Sequence, residues 1–395
     1  MEVNSDLHIH SRYSAATSGS MDLPTLGREA QKKGIRLLGT GDCLHPKWLG
    51  EIKSLEEDDG IYTLGETKFV LTVEIEDIRR VHHLLILPSI SKAMELHDIF
   101  SKYSCDIDSN GRPRVDLDGV VIAEYARDVS ALIGPSHAFT PWTSIYAYHD
   151  SLEDCYGDMT GYLSFVELGL SADSDYADRI KELRKMTFLT NSDAHSPWPI
   201  RLAREFNRLK LEDFSFDEVK RAIYKENGRR PTLNVGMPPE EGKYNETACI
   251  RCYRHYSLKD AFDINFKCSC GGRIVKGVRD RIDELAEGEG AVHPELRPPY
   301  LHLIPLSEII AMALSLSPRA RAVEKNWSTL LKEFGNEVTV LVDAGLEDMN
   351  IDQRIVDSIR AFREGKIIVR PGGGGRYGVI ELPEDSGSQR SLFDF

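Results

Sequence analysis

Over roughly its first 230 residues, this chain alternates short apolar runs with amphipathic stretches, and a histidine or carboxylate stands at the end of most of the apolar runs. Residues 3–9, Ile35–Gly39, Phe69–Ile75, Val81–Leu87, Ala131–Gly134, Leu163–Leu168 and Thr187–Thr190 read as strands. Between them lie helical patterns. One runs to Lys33, with Asp22 as N-cap, Pro24 in the first turn and Gly34 as the stop. Others cover residues 91–101, 117–129 and 175–184. Strands alternating with helices predict a parallel α/β architecture, whose strands offer their C-terminal ends as a common face for a site.

The polar residues at those ends are of one chemical kind. His8 and His10, spaced i, i+2, share one face of a strand and can close on one ion through neutral ring nitrogens. Asp42 (with His45 nearby), His137, Asp193 and His195 lie at or just past strand ends, while Glu74 and the pair His82 and His83 are carried within strands and complete the candidate set. Helix capping would explain one such residue but not the set. Its nitrogen and oxygen ligands exceed what one zinc-like ion takes, so two or three divalent cations are expected, with a carboxylate such as Glu74 bridging. His82 and His83 cannot both face the site from one strand.

The chain has 395 residues, too many for one ordinary domain. A hydrophobic content of 41% and a net charge of −14 fit a soluble protein and argue against a generally basic nucleic-acid binder. No apolar run approaches a membrane span and no signal pattern opens the chain, so no membrane partner and a cytoplasmic location are expected. Of seven cysteines, four lie between residues 249 and 270, which is metal-site spacing in a reducing compartment.

The ordered motifs DLHIHS, a Thr-Gly-Asp turn (40–42), VEI, HHLLIL, GPSHAF and NSDAH resemble the PHP (polymerase and histidinol phosphatase) superfamily over about residues 1–236. The resemblance implies a distorted seven-stranded β/α barrel carrying a two- or three-metal phosphoesterase centre, with catalysis resting on Glu74, Asp193 and His195. It places His8, His10, Glu74 and Asp193 on a first ion and Glu74, His83 and His137 on another. His195 and the turn holding Asp42 and His45 then serve the last. His83 is favoured over His82 because the family's ligand directly precedes two aliphatics. The second motif departs from the usual Thr-Asp-His, leaving Asp42, His45 or both as ligands, and the loop from Ser11 to Ser20 lacks the extra ligand of some members.

After the Pro/Glu/Gly-rich run at 238–242 the composition changes. Cys249, Cys252, Cys268 and Cys270 form two close pairs fifteen residues apart, the pattern of a closed, structural zinc site. Residues 243–281 hold nine Lys/Arg against four acids, an excess of five, with Tyr253, Tyr256 and Phe266 interleaved; DNA phosphate contact is expected there. Helices follow at 305–316, 318–334 (Ser317 as cap, Pro318 at N1) and 352–363. Two strands then flank a run of four glycines between Arg370 and Arg376, either a backbone approach to phosphate or a hairpin loop. The expected domains are 1–236 (barrel), 237–284 (linker and four-cysteine zinc ribbon), 285–383 (mainly helical) and 384–395 (tail). Gln389, Leu392 and Phe395 look like the peptide that binds a PCNA-type sliding clamp.

Taken together these features resemble the archaeal-type endonuclease Q family, which implies a metal-dependent DNA repair endonuclease cutting 5′ of uracil, hypoxanthine, xanthine and abasic sites. Zinc, magnesium or manganese would serve the barrel. An extruded base needs a pocket, for which Ser171 and Asn191 are candidates, turn capping being their other reading. Phe139, Trp142, Tyr146 and Tyr148 either stack on bases or pack their loop. A phosphatase of small monoesters such as histidinol phosphate is the alternative the barrel alone permits. It gives no reason for the cysteine cluster or the tail. A non-catalytic clamp-bound scaffold is disfavoured by the intact ligand set.

Overall fold

The computed structural model describes residues 1–288 and 290–383, so Gln389, Leu392 and Phe395 lie outside the described residues. The chain divides into two compact units. The first comprises Met1–Gly169, Lys185–Val235 and Pro294–Tyr300, and the second Leu170–Arg184, Gly236–His293 and the chain from Leu301 onward.

The first unit holds β1 (Glu2–Asp6), β2 (Leu37–Gly39), β3 (Glu56–Asp58), β4 (Ile61–Leu64), β5 (Thr67–Glu76), β6 (His82–Leu87), β7 (Leu132–Pro135), β8 (Val166–Glu167), β9 (Phe188–Leu189), β10 (Phe206–Lys210) and β11 (Arg230–Gly236). Its principal helices are α1 (Leu23–Lys33), α2 (Pro46–Ile52), α3 (Ile90–Phe100) and α4 (Gly119–Asp128). Asp22 Oδ1 accepts the Thr25 N–H and Gly34 takes φ 89°, as the capping pattern predicts.

The sheet is mixed, not parallel as expected. β1, β2 and β5 pair in parallel, as do β8 and β9. β3–β4–β5, β5–β6–β7 and β1–β10–β11 pair antiparallel. The reason is connection length, because the 77–81 link is far too short for a crossover helix and forces a hairpin. Further contacts join the short pair to its neighbours. Ser164 N–H donates to Ile133 O, Ala138 N–H to Glu167 O, and Ile9 bridges Ala194 in parallel. Val3, Leu37, Val70, Leu84, Ile86, Phe165, Leu189 and Leu209 fill the core between the strands and a helix at Phe216–Tyr224. Burial on this scale is the main favourable term in folding, near 25 cal/mol per Å² of apolar surface.

In the second unit, residues 174–185 form a short helix (Ser174–Ala177) and a 3-10 turn (Lys181–Lys185) where one helix is expected. The Asp178 carbonyl accepts the Arg184 guanidinium, which holds that break. Ala248–Cys249 and Ile274–Val275 pair as a small hairpin. Helices Leu306–Leu314, Arg321–Phe334 and Gln353–Arg363 follow. The second starts three residues later than expected, because the Ser317 carbonyl and hydroxyl accept Ala320 and Arg319 N–H groups in a preceding turn. Buried Glu337 accepts Leu306 N–H at 2.9 Å and the Trp327 indole at 3.0 Å, tying the first two helices together. Ile368–Arg370 and Val379–Glu381 pair antiparallel around the glycine run. Those glycines approach their own chain: a Cβ on Gly374 (φ +64°) would sit 2.4 Å from the Cys249 carbonyl oxygen. No helix among the described residues is long and apolar enough to cross a membrane.

Candidate metal centre

The site lies in the first unit and is built where β1, β5, β6 and the turns after β7 and β9 converge. Three overlapping groups have donor atoms within 4.8 Å of one another: His8, His10 and Glu74; His10, Asp193 and His195; and Glu74, His82 and His137. Glu74 joins the first and third. Its Oε2 lies 3.4 Å from His10 Nε2, and its Oε1 lies 3.5 Å from His8 Nε2, 2.9 Å from His82 Nδ1 and 3.0 Å from His137 Nε2. Asp193 Oδ1 sits 3.1 Å from His10 Nε2. His8 Nε2, His10 Nε2 and Asp193 Oδ1 are buried with no hydrogen-bond partner. Lone pairs facing one another in a dry interior are unfavourable unless cations lie among them, so this donor set fits divalent metals.

Electrostatics agree. Burial pulls the His8 imidazole down, yet Glu167 and Glu74 raise it well above its ordinary value. Burial likewise lowers His10, and Asp42 beside it, with Asp193 and Glu74, more than reverses this. Burial would raise Glu74, but His82 and His8 hold it well below the usual carboxylate range. The buried carboxylates thus favour positive charge among these imidazoles, a demand that divalent cations would meet.

Register decides which histidine of the pair enters. β5 and β6 pair Glu76 with His82 and Ile75 with His83, so His82 shares the face of Glu74. His83 points away, with Nδ1 2.7 Å from Tyr156 Oη and Nε2 3.3 Å from Asp77. The expectation that His83 faces the site is therefore corrected: His82 joins the donor group, its Nε2 held by Glu76 at 3.2 Å.

Asp42 and His45 also differ from expectation, since neither belongs to a ligand group. Asp42 Oδ1 lies 3.0 Å from His10 Nδ1, and its Oδ2 accepts the Ser11 N–H and hydroxyl at 2.6 Å each. It orients a ligand, a role a carboxylate performs by fixing the ring's tautomer. A Cβ on Gly111 would meet that carboxylate at 2.2 Å. His45 caps α2, its Nδ1 3.5 Å from Trp48 N, and stacks on Tyr13 at 4.4 Å between centroids. His195 joins His10 and Asp193 instead of the Asp42 turn.

Asn191 is buried at the centre of a structural network. Its Oδ1 accepts Leu7 N–H at 2.9 Å and Asn207 Nδ2–H at 3.1 Å, and its Nδ2 donates to Glu167 at 3.0 Å. Both lone pairs are used, which leaves one amide hydrogen. Ser171 is half-buried and falls in the second unit. Phe139 and Tyr146 stack on each other, buried, at 5.1 Å, so they pack their loop, whereas Trp142 and Tyr148 are exposed.

Two residues escaped the sequence reading. Glu167 Oε2 lies 2.9 Å from His8 Nδ1, and its Oε1 accepts the His137 N–H at 3.2 Å. A carboxylate ending β8 on the same face as the other strand ends was the available signal. Arg112 reaches Glu74 Oε2 at 3.2 Å from a loop with no periodicity, so nothing in the sequence marked it.

In the second unit, Cys249, Cys252, Cys268 and Cys270 form one group, with Sγ–Sγ separations of 3.5 Å for 249/270 and 252/268. These approach the edge, about 3.8 Å, of a tetrahedron with Zn–S near 2.3 Å. The Tyr256 hydroxyl donates to Cys268 Sγ at 3.0 Å and pulls that thiol down to about 6. Of the basic residues around it, Arg279 and Lys276 are paired with Glu246 and Glu284.

The family model described as the MJ0043 C-terminal domain matches residues 305–366. Uncharacterized protein MJ0043 of Methanocaldococcus jannaschii is 43% identical over 276 residues, 67% of this chain, which spans only 34% of that protein. Uncharacterized protein YqxK of Bacillus subtilis is 31% identical over 406 residues, covering 96% of this chain and 99% of its own. Among solved structures, the lesion-specific endonuclease PfuEndoQ of Pyrococcus furiosus matches with TM-score 0.95 and 49% identity over 98% of this chain and 96% of its own. Endonuclease Q bound to a 27-mer duplex with an abasic lesion at its active site matches with TM-score 0.92 and 48% identity over the full length of both. Identity near one half sustained along the whole chain, on one backbone, means that this chain belongs to the endonuclease Q family.

Proposed function

We propose that this protein is a metal-dependent DNA repair endonuclease that hydrolyses the phosphodiester 5′ of deaminated bases (uracil, hypoxanthine, xanthine) and abasic sites. The observation that carries the reading is the convergence of three ligand groups on orphaned, buried His8 Nε2, His10 Nε2 and Asp193 Oδ1, in a chain similar along its length to an enzyme crystallised on an abasic duplex. The pairings β1–β2–β5–β6–β7 and β8–β9, with the Ile9–Ala194 bridge, support a distorted seven-stranded barrel under the site.

His8, His10, Glu74, His82, His137, Asp193 and His195 would hold two or three ions of zinc, magnesium or manganese. Bound there, such ions supply Lewis acidity and lower the pKa of water. The chain's own part is positioning. Glu167 and Asp42 fix His8 and His10 through their Nδ1 atoms, which keeps each Nε2 lone pair turned into the site. Glu74 presents one oxygen to each side of the centre. In hydrolysis the P–O3′ bond breaks as a P–O bond to water forms. The leaving oxygen takes a proton, giving 3′-hydroxyl and 5′-phosphate ends.

Ser171 and the free amide hydrogen of Asn191 remain the pocket candidates for an extruded base, and exposed Trp142 and Tyr148 the stacking candidates. The four-cysteine group would hold one structural zinc in a ribbon that contacts DNA phosphates. Gln389, Leu392 and Phe395 would tether a cytoplasmic enzyme to a PCNA-type clamp.

Incubation with a duplex carrying one uracil, inosine or abasic site and magnesium, manganese or zinc should yield a single nick 5′ of the lesion. An intact duplex, with phosphate released instead from histidinol phosphate, would leave the monoester phosphatase as the answer. Deleting residues 389–395 should abolish clamp binding while oligonucleotide nicking survives; clamp binding that persists would remove the tail assignment.

A further inference from the structure

Arg112 is the one arginine that reaches the ligand cluster among the described residues, and the loop carrying it is anchored on both sides. Asp106 accepts the Ser104 hydroxyl at 2.9 Å, Arg114 N–H at 3.0 Å and the Asn110 amide at 3.1 Å, which folds residues 104–114 on themselves. Gly111 N–H donates to Tyr13 O at 3.1 Å and Glu76 N–H to Pro113 O at 3.1 Å, so the residues flanking Arg112 are tied to the 11–20 loop and to β5. The guanidinium has one ion-pair partner among the described residues, Glu74 Oε2 at 3.2 Å, made through Nη1. Its side chain is 28% exposed against 0% for Glu74, and neither Nε nor Nη2 is a buried orphan. The fork therefore has one prong on Glu74, and its side chain keeps some exposure.

That placement is poor if neutralising Glu74 is the purpose. Glu74 already faces His8, His10, His82 and His137, and divalent ions there would repel a fixed cation beside them. An anion lying between guanidinium and metals removes the repulsion. A guanidinium offers parallel N–H donors matched to two oxygens on one phosphorus.

Resting on the endonuclease reading above, we infer that Arg112 is the phosphodiester clamp of this site, binding the non-bridging oxygens of the scissile phosphate and stabilising the charge that builds on them as the P–O3′ bond breaks. Removing one donor of this kind typically lowers kcat 10²–10³-fold.

The test compares wild type, Arg112→Gln and Arg112→Lys in three measurements. These are nicking kinetics on the lesion duplex, bound metal per chain, and the salt dependence of duplex binding after chelation. Arg112→Gln should lose about 10²–10³-fold in kcat/KM with metal content unchanged, and its log K against log salt slope should shrink by about one. Arg112→Lys should restore the slope, since the charge is kept, but not the rate, since the fork is gone. Calorimetric binding of inorganic phosphate to the metal-loaded protein should weaken at least tenfold in Arg112→Gln. This arm needs no DNA, so a wild type that binds phosphate yet never nicks a lesion duplex would sink the endonuclease reading while still testing the clamp. Wild-type kinetics in Arg112→Gln, or metal lost with the salt slope and phosphate affinity unaltered, would show that Arg112 only supports Glu74 and would overturn the inference.

Discussion

Replacing Glu167 by glutamine removes one charge and almost no volume, yet the geometry leaves the amide no satisfactory orientation. With the amide oxygen at the Oε1 position it still accepts His137 N–H, but its NH2 then faces the Asn191 Nδ2 donor. With the oxygen at Oε2 it accepts Asn191, and the NH2 faces the His137 backbone N–H. Asn191 cannot turn over, because its Oδ1 holds Leu7 N–H and Asn207. One buried donor is stranded either way, costing about 1–3 kcal/mol. A lesser cost is available if His8 Nδ1 accepts from the new NH2, but its proton then moves to Nε2, the atom that faces the cluster. The ligand lone pair is lost by that route. Such partners typically affect metal affinity 10–100-fold, about 1.4–2.7 kcal/mol at 1.36 kcal/mol per decade. Competition against a chromophoric chelator should show the Gln variant's affinity weaker by that factor, with kcat/KM on lesion DNA recovering partly in excess metal. Wild-type affinity in a folded Glu167→Gln protein would refute the argument that Glu167 sets the His8 tautomer.

Other consequences are open to measurement. His82→Asn should lower bound metal and nicking by at least tenfold, whereas His83→Asn should leave metal content unchanged and act through its Tyr156 and Asp77 bonds on melting temperature; the reverse outcome would contradict the observed register. Gly111→Ala should cut activity because its Cβ would sit 2.2 Å from the Asp42 carboxylate, and full activity would mean the loop gives way freely. In chelator, the raised His8 and His10 values mean that their ion pairs stabilise the fold below the ordinary value near 6.5 and that this is lost as pH rises through the raised values. Metal affinity should run the opposite way, rising with pH as the displaced protons become easier to remove, so chelator competition tests the second sign and unfolding in excess chelator the first, each at pH 6 and pH 8. Burial raises Asp6 from 3.8 to about 6 against its bonds from Ser192, so its ionisation should cost about 3 kcal/mol of stability as pH climbs through that interval. Urea unfolding at pH 4 and pH 7 should show a shallower pH dependence in Asp6→Asn.

Chemical type and order along the chain were legible from residues alone. His8 and His10 flank the extended bridge residue Ile9 just past the end of β1, where side chains still alternate, and both enter donor groups. His137, Asp193 and His195 follow apolar runs and Glu74 lies within one, the four cysteines share a local thiolate spacing, and all of them fall in the donor groups. What the sequence could not carry was parity across a hairpin and the partners of partners. The choice of His82 over His83 depends on a five-residue link that pairs Glu76 with His82, and a one-residue change in that register would exchange the two. Asp42 and Asn191 look like ligands or readers in one dimension. Only in the fold do their second atoms meet His10 Nδ1 and Glu167. Glu167 and Arg112 acquire roles through neighbours 159 and 38 residues away, and no local pattern encodes contacts at such separation. Spacing along one element is fixed by backbone geometry and can be read directly, whereas contacts between elements are decided by packing the whole chain at once.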